Sequence, residues 1–272
     1  MEANQAERRR WNDAQWVAHW PKRERLTDAV TPFLLEALDL RRGERVLDVG
    51  SGGGKAALAA AALVGDHGAV VGADISVPLT ELANERAEAA KAGNARFRVV
   101  DVQSERADDG PFDVAMSQFG VMFFDEPVTA FANIRTHLRP DGRLGFACWQ
   151  AIVCNPWFIG AALGGIAPAP PQPEPGKSPT GPFALGDPER VRAILDAAGF
   201  VDLSLVNHDL TVEAPDDSVV DDAQLAFIGV PAERMAEARV AVDRHLAQFR
   251  QPSGESRFPL AFQIVTAVNR AD

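Results

Sequence analysis

The chain has 272 residues, 46% of them hydrophobic, and a formal net charge of −11. That length holds one large domain, or a core with an added cap, and the acidic balance excludes a surface built to neutralise nucleic-acid phosphates, which needs clustered Lys and Arg. The cysteines Cys148 and Cys154 lack metal-ligand spacing, no uninterrupted apolar run is long enough to span a bilayer and no charged-then-apolar leader opens the chain, so the expectation is a cytoplasmic protein with reduced thiols, no metal and no stable membrane insertion.

Residues 4–20 contain neither Pro nor Gly and place Trp16 and Trp20 on one helical face, with Pro21 as the expected end. Within them, Glu7-Arg8-Arg9-Arg10 reads as a solvated helix face. A second helix is predicted over 24–40, with Leu26, Val30, Leu34 and Leu38 in one stripe, a kink at Pro32 and a stop at Gly43. Strands at 45–49, 69–74, 95–101, 112–117 and 143–149 then alternate with helices at 54–64, 78–91 and 126–138, and residues 139–142 form a turn. Short β-branched runs alternating with helical patterns mean parallel βαβ units, hence a doubly wound α/β sheet. After residue 150 the rhythm breaks: 167–182, APAPPQPEPGKSPTGP, is too rich in proline for regular structure. A helix over 187–198, capped by Asp187 and stopped by Gly199, and a strand near 201–212 restore the pattern. Helices near 219–228 and 232–249 precede a last strand at 261–268, the place for a cap inserted over the sheet edge.

The loudest segment is VLDVGSGGGKAAL, residues 46–58, which reads as a strand, a tight glycine turn and a helix start. A triphosphate loop needs G-x-x-x-x-G-K-[ST], but Gly54-Lys55 is followed by Ala56 and preceded at the required spacing by Val49. Lys55 is therefore expected to be a solvated residue of the first helical turn. Gly52, Gly54 and Ala57 do satisfy the dinucleotide fingerprint, with Asp74 twenty residues beyond Gly54. Asp48 decides between ligands: a carboxylate at the end of the first strand repels a pyrophosphate and favours an amino-acid ammonium. A nucleoside bearing an amino acid suits the D-x-G-x-G-x-G spacing better than a dinucleotide does.

These residues resemble the class I S-adenosylmethionine-dependent methyltransferases, and the likeness extends through GADIS, RFRVVDVQS, FDVAMSQFGVMFF and LRPDGRLGFACW, covering residues 45–149. The flanking WNDAQWVAH, NPW and LAFQIVTA segments are similar to those of the ubiquinone and menaquinone biosynthesis type. The resemblance implies a Rossmann-like, mostly parallel seven-stranded sheet with an antiparallel last strand, an N-terminal helical lid over 1–42, a cofactor-binding core over 43–150, a Pro-rich active-site loop over 151–186, and the rest of the sheet with its cap helices over 187–272. It implies S-adenosylmethionine as cofactor, with S-adenosylhomocysteine as product. Asp48 would lie near the methionine ammonium. Gly50, Ser51 and Gly52 would let the backbone pass under the amino acid and ribose. Asp74, followed by Ile75, would take the ribose hydroxyls, and Asp101, Val102 and Gln103 would surround the adenine. Ser117 would bring its backbone to the methionine end, and Gln118 would face the sulfonium or the substrate. An Asp or Ser at a strand end also serves as a cap or turn residue, a competing reading at each position.

Methyl transfer to oxygen or carbon benefits from a base. His19, on the lid, and His208, next to Asp209 in the sixth strand, are the candidates alongside Gln118, although a helix-end or solvent-facing role suits either histidine. His67, His137 and His245 read as structural or surface residues. Trp16, Trp20, Phe119, Met122, Trp149 and Trp157 are the expected substrate pocket, apolar and aromatic, for a small, partly hydrophobic acceptor. Asn155-Pro156-Trp157 resembles the [DNS]-P-P-[YFW] motif of amino-methyltransferases acting on nucleic acids, but it lacks the second proline and follows the wrong strand. The expected activity is O- or C-methylation of a small molecule, with no nucleic-acid partner and a homodimer left open. A sensor that binds the cofactor without catalysis, and a nicotinamide-dependent oxidoreductase, are the alternatives.

Overall fold

The computed structural model describes residues 5–107, 109–168 and 178–270. Most of the Pro-rich run expected at 167–182 therefore lies outside the described residues. Seven strands form one sheet: β1 (Arg45–Val49), β2 (Ala69–Asp74), β3 (Ala95–Val99), β4 (Phe112–Gln118), β5 (Leu138–Trp149), β6 (Val201–Ala214) and β7 (Ser256–Asn269), in the order β3-β2-β1-β4-β5-β7-β6. The first five are parallel, and β7 runs antiparallel between β5 and β6. This is the Rossmann-like sheet with an antiparallel last strand that the strand pattern and the resemblance imply.

The chain winds outward from β1 to β3, then returns to place β4 on the other side of β1. The crevice beyond the carboxyl ends of β1 and β4 is thus the topological switch point, where ligands bind in open α/β sheets. Burial explains the central strands. Val46, Leu47, Val49, Val114, Ala115 and Met116 are buried, as expected where helices cover both faces. Edge strand β6 instead alternates between exposed and half-buried residues. Small side chains let α4 (Lys55–Val64) lie close to the sheet through Ala56, Ala57, Ala60 and Ala61. The remaining core helices are α5 (Val77–Ala89), α6 (Pro127–His137) and α7 (Pro188–Ala197).

The lid differs from expectation at its prolines. Helix α1 (Gln5–Trp11) closes early, Asp13 caps α2 (Ala14–Thr27) by accepting from the N–H groups of Gln15 and Trp16, and Pro21 sits inside α2. An interior proline costs roughly 3 kcal/mol; burial of Trp16, His19, Glu24 and Leu26 on this helix opposes that cost. Pro32 starts α3 (Thr31–Leu38) after a short 3-10 turn at Asp28–Val30, and the stop falls at Asp39, in the left-handed region with φ 45°, ahead of Gly43. The turn expected at 139–142 is accommodated as an irregularity within β5: Phe112 pairs with Leu138, Val114 with Arg143, and Asp141 takes φ 58°.

Between β6 and β7 the chain forms α8 (Asp222–Phe227) and α9 (Met235–Leu246). Helix α8 packs against α2, with Lys22 Nζ 2.8 Å from Asp221 and 3.3 Å from Asp217. Lid and cap thus share one roof above the sheet. No helix among the described residues is long and apolar enough to cross a membrane.

Candidate functional site

A cavity opens at the switch point, walled by the ends of β1, β2, β4 and β5 and roofed by α1 and α2. Its floor is the glycine loop. Gly50, Gly52 and Gly54 all have positive φ, at 68°, 51° and 82°, and a Cβ on Gly50 would meet Gly120 Cα at 2.9 Å. Only glycine combines that conformation with that approach between the β1 and β4 loops. Ser117 fixes the opposite side: its buried hydroxyl donates to the Val49 carbonyl at 2.7 Å and accepts from the Gly120 N–H at 3.2 Å.

Three carboxylates line the cavity from consecutive strand ends. Asp48 is 1% exposed, and neither of its oxygens has a hydrogen-bond partner among the described residues. Burial first, and the neighbouring Asp74 second, push its carboxyl up to about 8. An orphaned buried acid is costly, and a cationic group in the cavity would satisfy this one. Asp74 accepts from the Gly52 N–H at 2.8 Å and the Ser76 N–H at 2.8 Å. Burial raises it, and the backbone N–H groups of Ser76, Gly52 and Ile75 partly counter that. Ile75 lines the cavity beside it. Asp101 is buried, accepts from the Gln103 N–H at 3.1 Å, and lies 3.4 Å from Arg8 of the lid. Val102 lines the wall, whereas buried Gln103 supports it from behind by accepting from the Glu126 N–H at 3.1 Å.

The aromatic side lies across from these acids. Phe119, held at φ 61°, stacks on Trp149 with centroids 4.1 Å apart, and Trp157 packs edge-on behind Trp149 at 5.3 Å. Trp16, Trp20, Phe119, Met122 and Trp149 line the cavity; Trp157 does not reach it. Trp11 joins them, meeting Trp16 at 4.9 Å and Phe123 at 4.8 Å. Pro182, at the end of the Pro-rich segment, also touches the cavity.

The proposed bases fare differently. Gln118 lines the cavity, but its amide is engaged by the lid: Oε1 accepts from Thr31 Oγ1 at 2.8 Å and Nε2 donates to the Thr27 carbonyl at 3.2 Å. His19 is buried outside the cavity, with Nδ1 3.2 Å from Asp221. Burial lowers its pKa, against the pull of Asp221. His208 sits on β6, stacked on Phe262 at 5.3 Å and edge-on to Phe33 at 4.9 Å. Three strand spacings, about 14 Å, separate β6 from β4, so His208 is not brought to the cavity.

Several contributors have no sequence signature. Glu24 accepts from Trp20 Nε1 at 2.7 Å and from both Arg86 nitrogens at 2.6 and 2.8 Å, while Arg86 also donates to the Gly53 carbonyl at 2.7 Å. Lys55, expected in solvent, pairs with Asp28 at 2.6 Å and Glu24 at 3.4 Å. Asn12 accepts from the Val77 N–H at 2.9 Å and donates to the Ile75 carbonyl at 3.2 Å. These bonds seat the lid on the glycine loop and on the start of α5. Asn155-Pro156-Trp157 is a structural clasp: Asn155 Oδ1 accepts from the Ala261 N–H at 3.0 Å and from Trp157 Nε1 at 3.0 Å, and its amide donates to the Ala261 carbonyl at 2.9 Å.

The geometry fits S-adenosylmethionine: a buried acid without a partner among the described residues, a glycine-rich cradle in which Ser51 is the one residue with a side chain between Gly50 and Gly54, and two further carboxylates at the ends of β2 and β3. Comparison with known proteins agrees. Residues 46–142 match the family model described as a methyltransferase domain. A nocamycin O-methyltransferase from Saccharothrix syringae is 32% identical over 191 residues, 67% of this chain and 68% of that protein. A ubiquinone/menaquinone biosynthesis C-methyltransferase from Azotobacter vinelandii is 34% identical over 113 residues, 41% of this chain and 45% of its own. The fold is similar to that of the YcgJ protein from Bacillus subtilis, with a TM-score of 0.60 at 18% identity over 90% of this chain and 100% of that one.

Proposed function

The chain belongs to the class I S-adenosylmethionine-dependent methyltransferases, and from that premise we propose that it methylates an oxygen or carbon nucleophile of a small, partly hydrophobic molecule by in-line displacement. S-adenosylmethionine, when bound, supplies an electrophilic methyl group on a sulfonium. The protein's own task is to hold two reactants in line and exclude water, an alignment that supplies about 7–11 kcal/mol in well-oriented systems. Asp48, Asp74 and Asp101 hold the cofactor, and the backbone of Gly50, Ser51 and Gly52 runs beneath it. Phe119 and Trp149 give the acceptor a flat apolar wall, and the tryptophans of the lid cover it.

The observation that carries this reading is the buried Asp48 carboxyl without a partner at the foot of the glycine loop, facing the same cavity as Asp74 and Asp101. The similarity to an O-methyltransferase over two thirds of both chains supports oxygen as the nucleophile. Calorimetry is expected to detect S-adenosylhomocysteine binding, and Asp74→Ala to weaken it roughly 30-fold or more through lost charge-assisted hydrogen bonds. Unchanged affinity removes Asp74 from the site. Transfer of isotopically labelled methyl to small phenols, quinone precursors or acids separates an enzyme from a protein that only binds the cofactor.

A further inference from the structure

Among the described residues three cations line the cavity: Arg10, Arg23 and Lys55. Arg10 lies 3.5 Å from Glu7, and Lys55 pairs with Asp28 and Glu24. Arg23 has no ion pair and no hydrogen bond among the described residues. Its guanidinium lies over the Trp157 ring, 5.3 Å from the centroid, behind the Trp149 and Phe119 stack. Its position on α2, seven residues after Trp16 and three after Trp20, keeps it on the face that looks into the chamber.

We propose that Arg23 binds an anionic group of the methyl acceptor, a carboxylate or an ionised hydroxyl carried on a flat apolar body. This deepens the methyltransferase reading and rests on it. A guanidinium anchored over an indole is pre-oriented, and its planar donors match a carboxylate. Burial pushes Arg23 down to about 10, so the group stays charged at neutral pH while losing hydration. Arg23 is half-buried, and a cation held there without a counter-charge gains when an anion enters. The aromatic wall offers the apolar body its surface, leaving the anion to set the molecule's direction. The cavity's carboxylates fall in two groups: Asp48, Asp74 and Asp101 at the ends of β1, β2 and β3, and Glu7, Glu24 and Asp28 of the lid, which are taken up by Arg10, Arg86 and Lys55 and leave Arg23 without a counter-charge among the described residues.

The test uses the full chain saturated with S-adenosylhomocysteine and two probes of one shape, 2-naphthoate and 2-naphthamide, titrated by calorimetry. The wild type is expected to bind the carboxylate at least about tenfold more tightly than the amide, the worth of one charge-assisted pair. Arg23→Gln is expected to abolish that preference while binding S-adenosylhomocysteine within about threefold of wild type, which certifies its fold, and Arg23→Lys to retain part of it. Equal affinity of the wild type for both probes overturns the proposal, as does an Arg23→Gln variant that keeps the preference. Failure of the wild type to bind S-adenosylhomocysteine overturns instead the reading on which the proposal rests.

Discussion

Asp48 is the residue on which the site turns, and its chemistry is measurable. Its carboxyl rises from 3.8 to about 8 in the folded protein without ligand. Between those values the folded state holds a proton that the unfolded chain has lost, so this group makes stability fall as pH rises through the window. Asp48→Asn removes the titration. The melting temperature of the variant should therefore exceed that of the wild type at pH 8 and converge with it only as the pH falls to about 4. An ammonium favours the ionised form, so S-adenosylhomocysteine should expel a proton from the wild type at pH 7, read as a buffer-dependent heat in calorimetry. The variant should show no such proton and bind at least about tenfold more weakly. A variant with unaltered affinity would detach Asp48 from the ammonium. Asp48 was legible in the sequence because its charge, directly after an apolar run and before glycines, has few structural uses. Arg23 was not, because it lies between Lys22 and Glu24 on a helix rich in charge, where only the fold shows which side chain faces inward. His208 misled for the opposite reason: its neighbour Asp209 suggested an oriented base, but adjacent strand residues point to opposite faces.

At the scale of elements, the lid is held by α2 through Glu24, which ties Arg86 of α5 to Trp20 and Lys55. Glu24 is 5% exposed, so removing its main partner strands a buried charge. Arg86→Met should cost about 3 kcal/mol, the low end for a broken buried pair because Lys55 remains. Denaturant unfolding checks the cost. Limited proteolysis should also find α1 and α2 cut faster, since Arg86 is one of the few bonds from lid to glycine loop. Equal proteolysis rates would mean that the other lid contacts suffice, those of Asn12, of Gln118 with Thr27 and Thr31, and of Ser76, whose hydroxyl donates to the Trp11 carbonyl at 2.6 Å. None of this was readable beforehand: Glu24 and Arg86 are 62 residues apart, and each fits an exposed helix face by pattern alone. The strands and core helices were readable, because β-branched runs ending in Asp or Gly specify where parallel strands stop. The prolines were not. Local rules place Pro21 at a helix end, and burial of neighbouring residues in α2 overrides them.

Across the whole molecule, the sheet follows from its sequence rhythm up to β5, and the order β5-β7-β6 completes it with segments separated by the cap. Asn155 joins those parts, clamping the segment after β5 to β7 at Ala261. Asn155→Ala leaves a buried N–H, a carbonyl and the Trp157 indole N–H unsatisfied. It should cost about 2–3 kcal/mol and lower the melting temperature by roughly 4–6 °C, with S-adenosylhomocysteine affinity retained in the folded protein. A melting temperature within about 1 °C of wild type would show that water replaces the clasp. Lys22 and the two acids it meets carry a longer consequence. They stand almost 200 residues apart, so the roof helix α2 and the segment that braces it from behind come from two distant stretches of the chain, with the cofactor floor encoded between them. Homologous recombination that exchanges only one of these segments would set an ammonium against a foreign surface, or leave Asp217 and Asp221 without this cation. New acceptor specificities in such a lineage should therefore arise by paired change in both segments, and an engineer grafting a relative's lid should transplant its cap along with it.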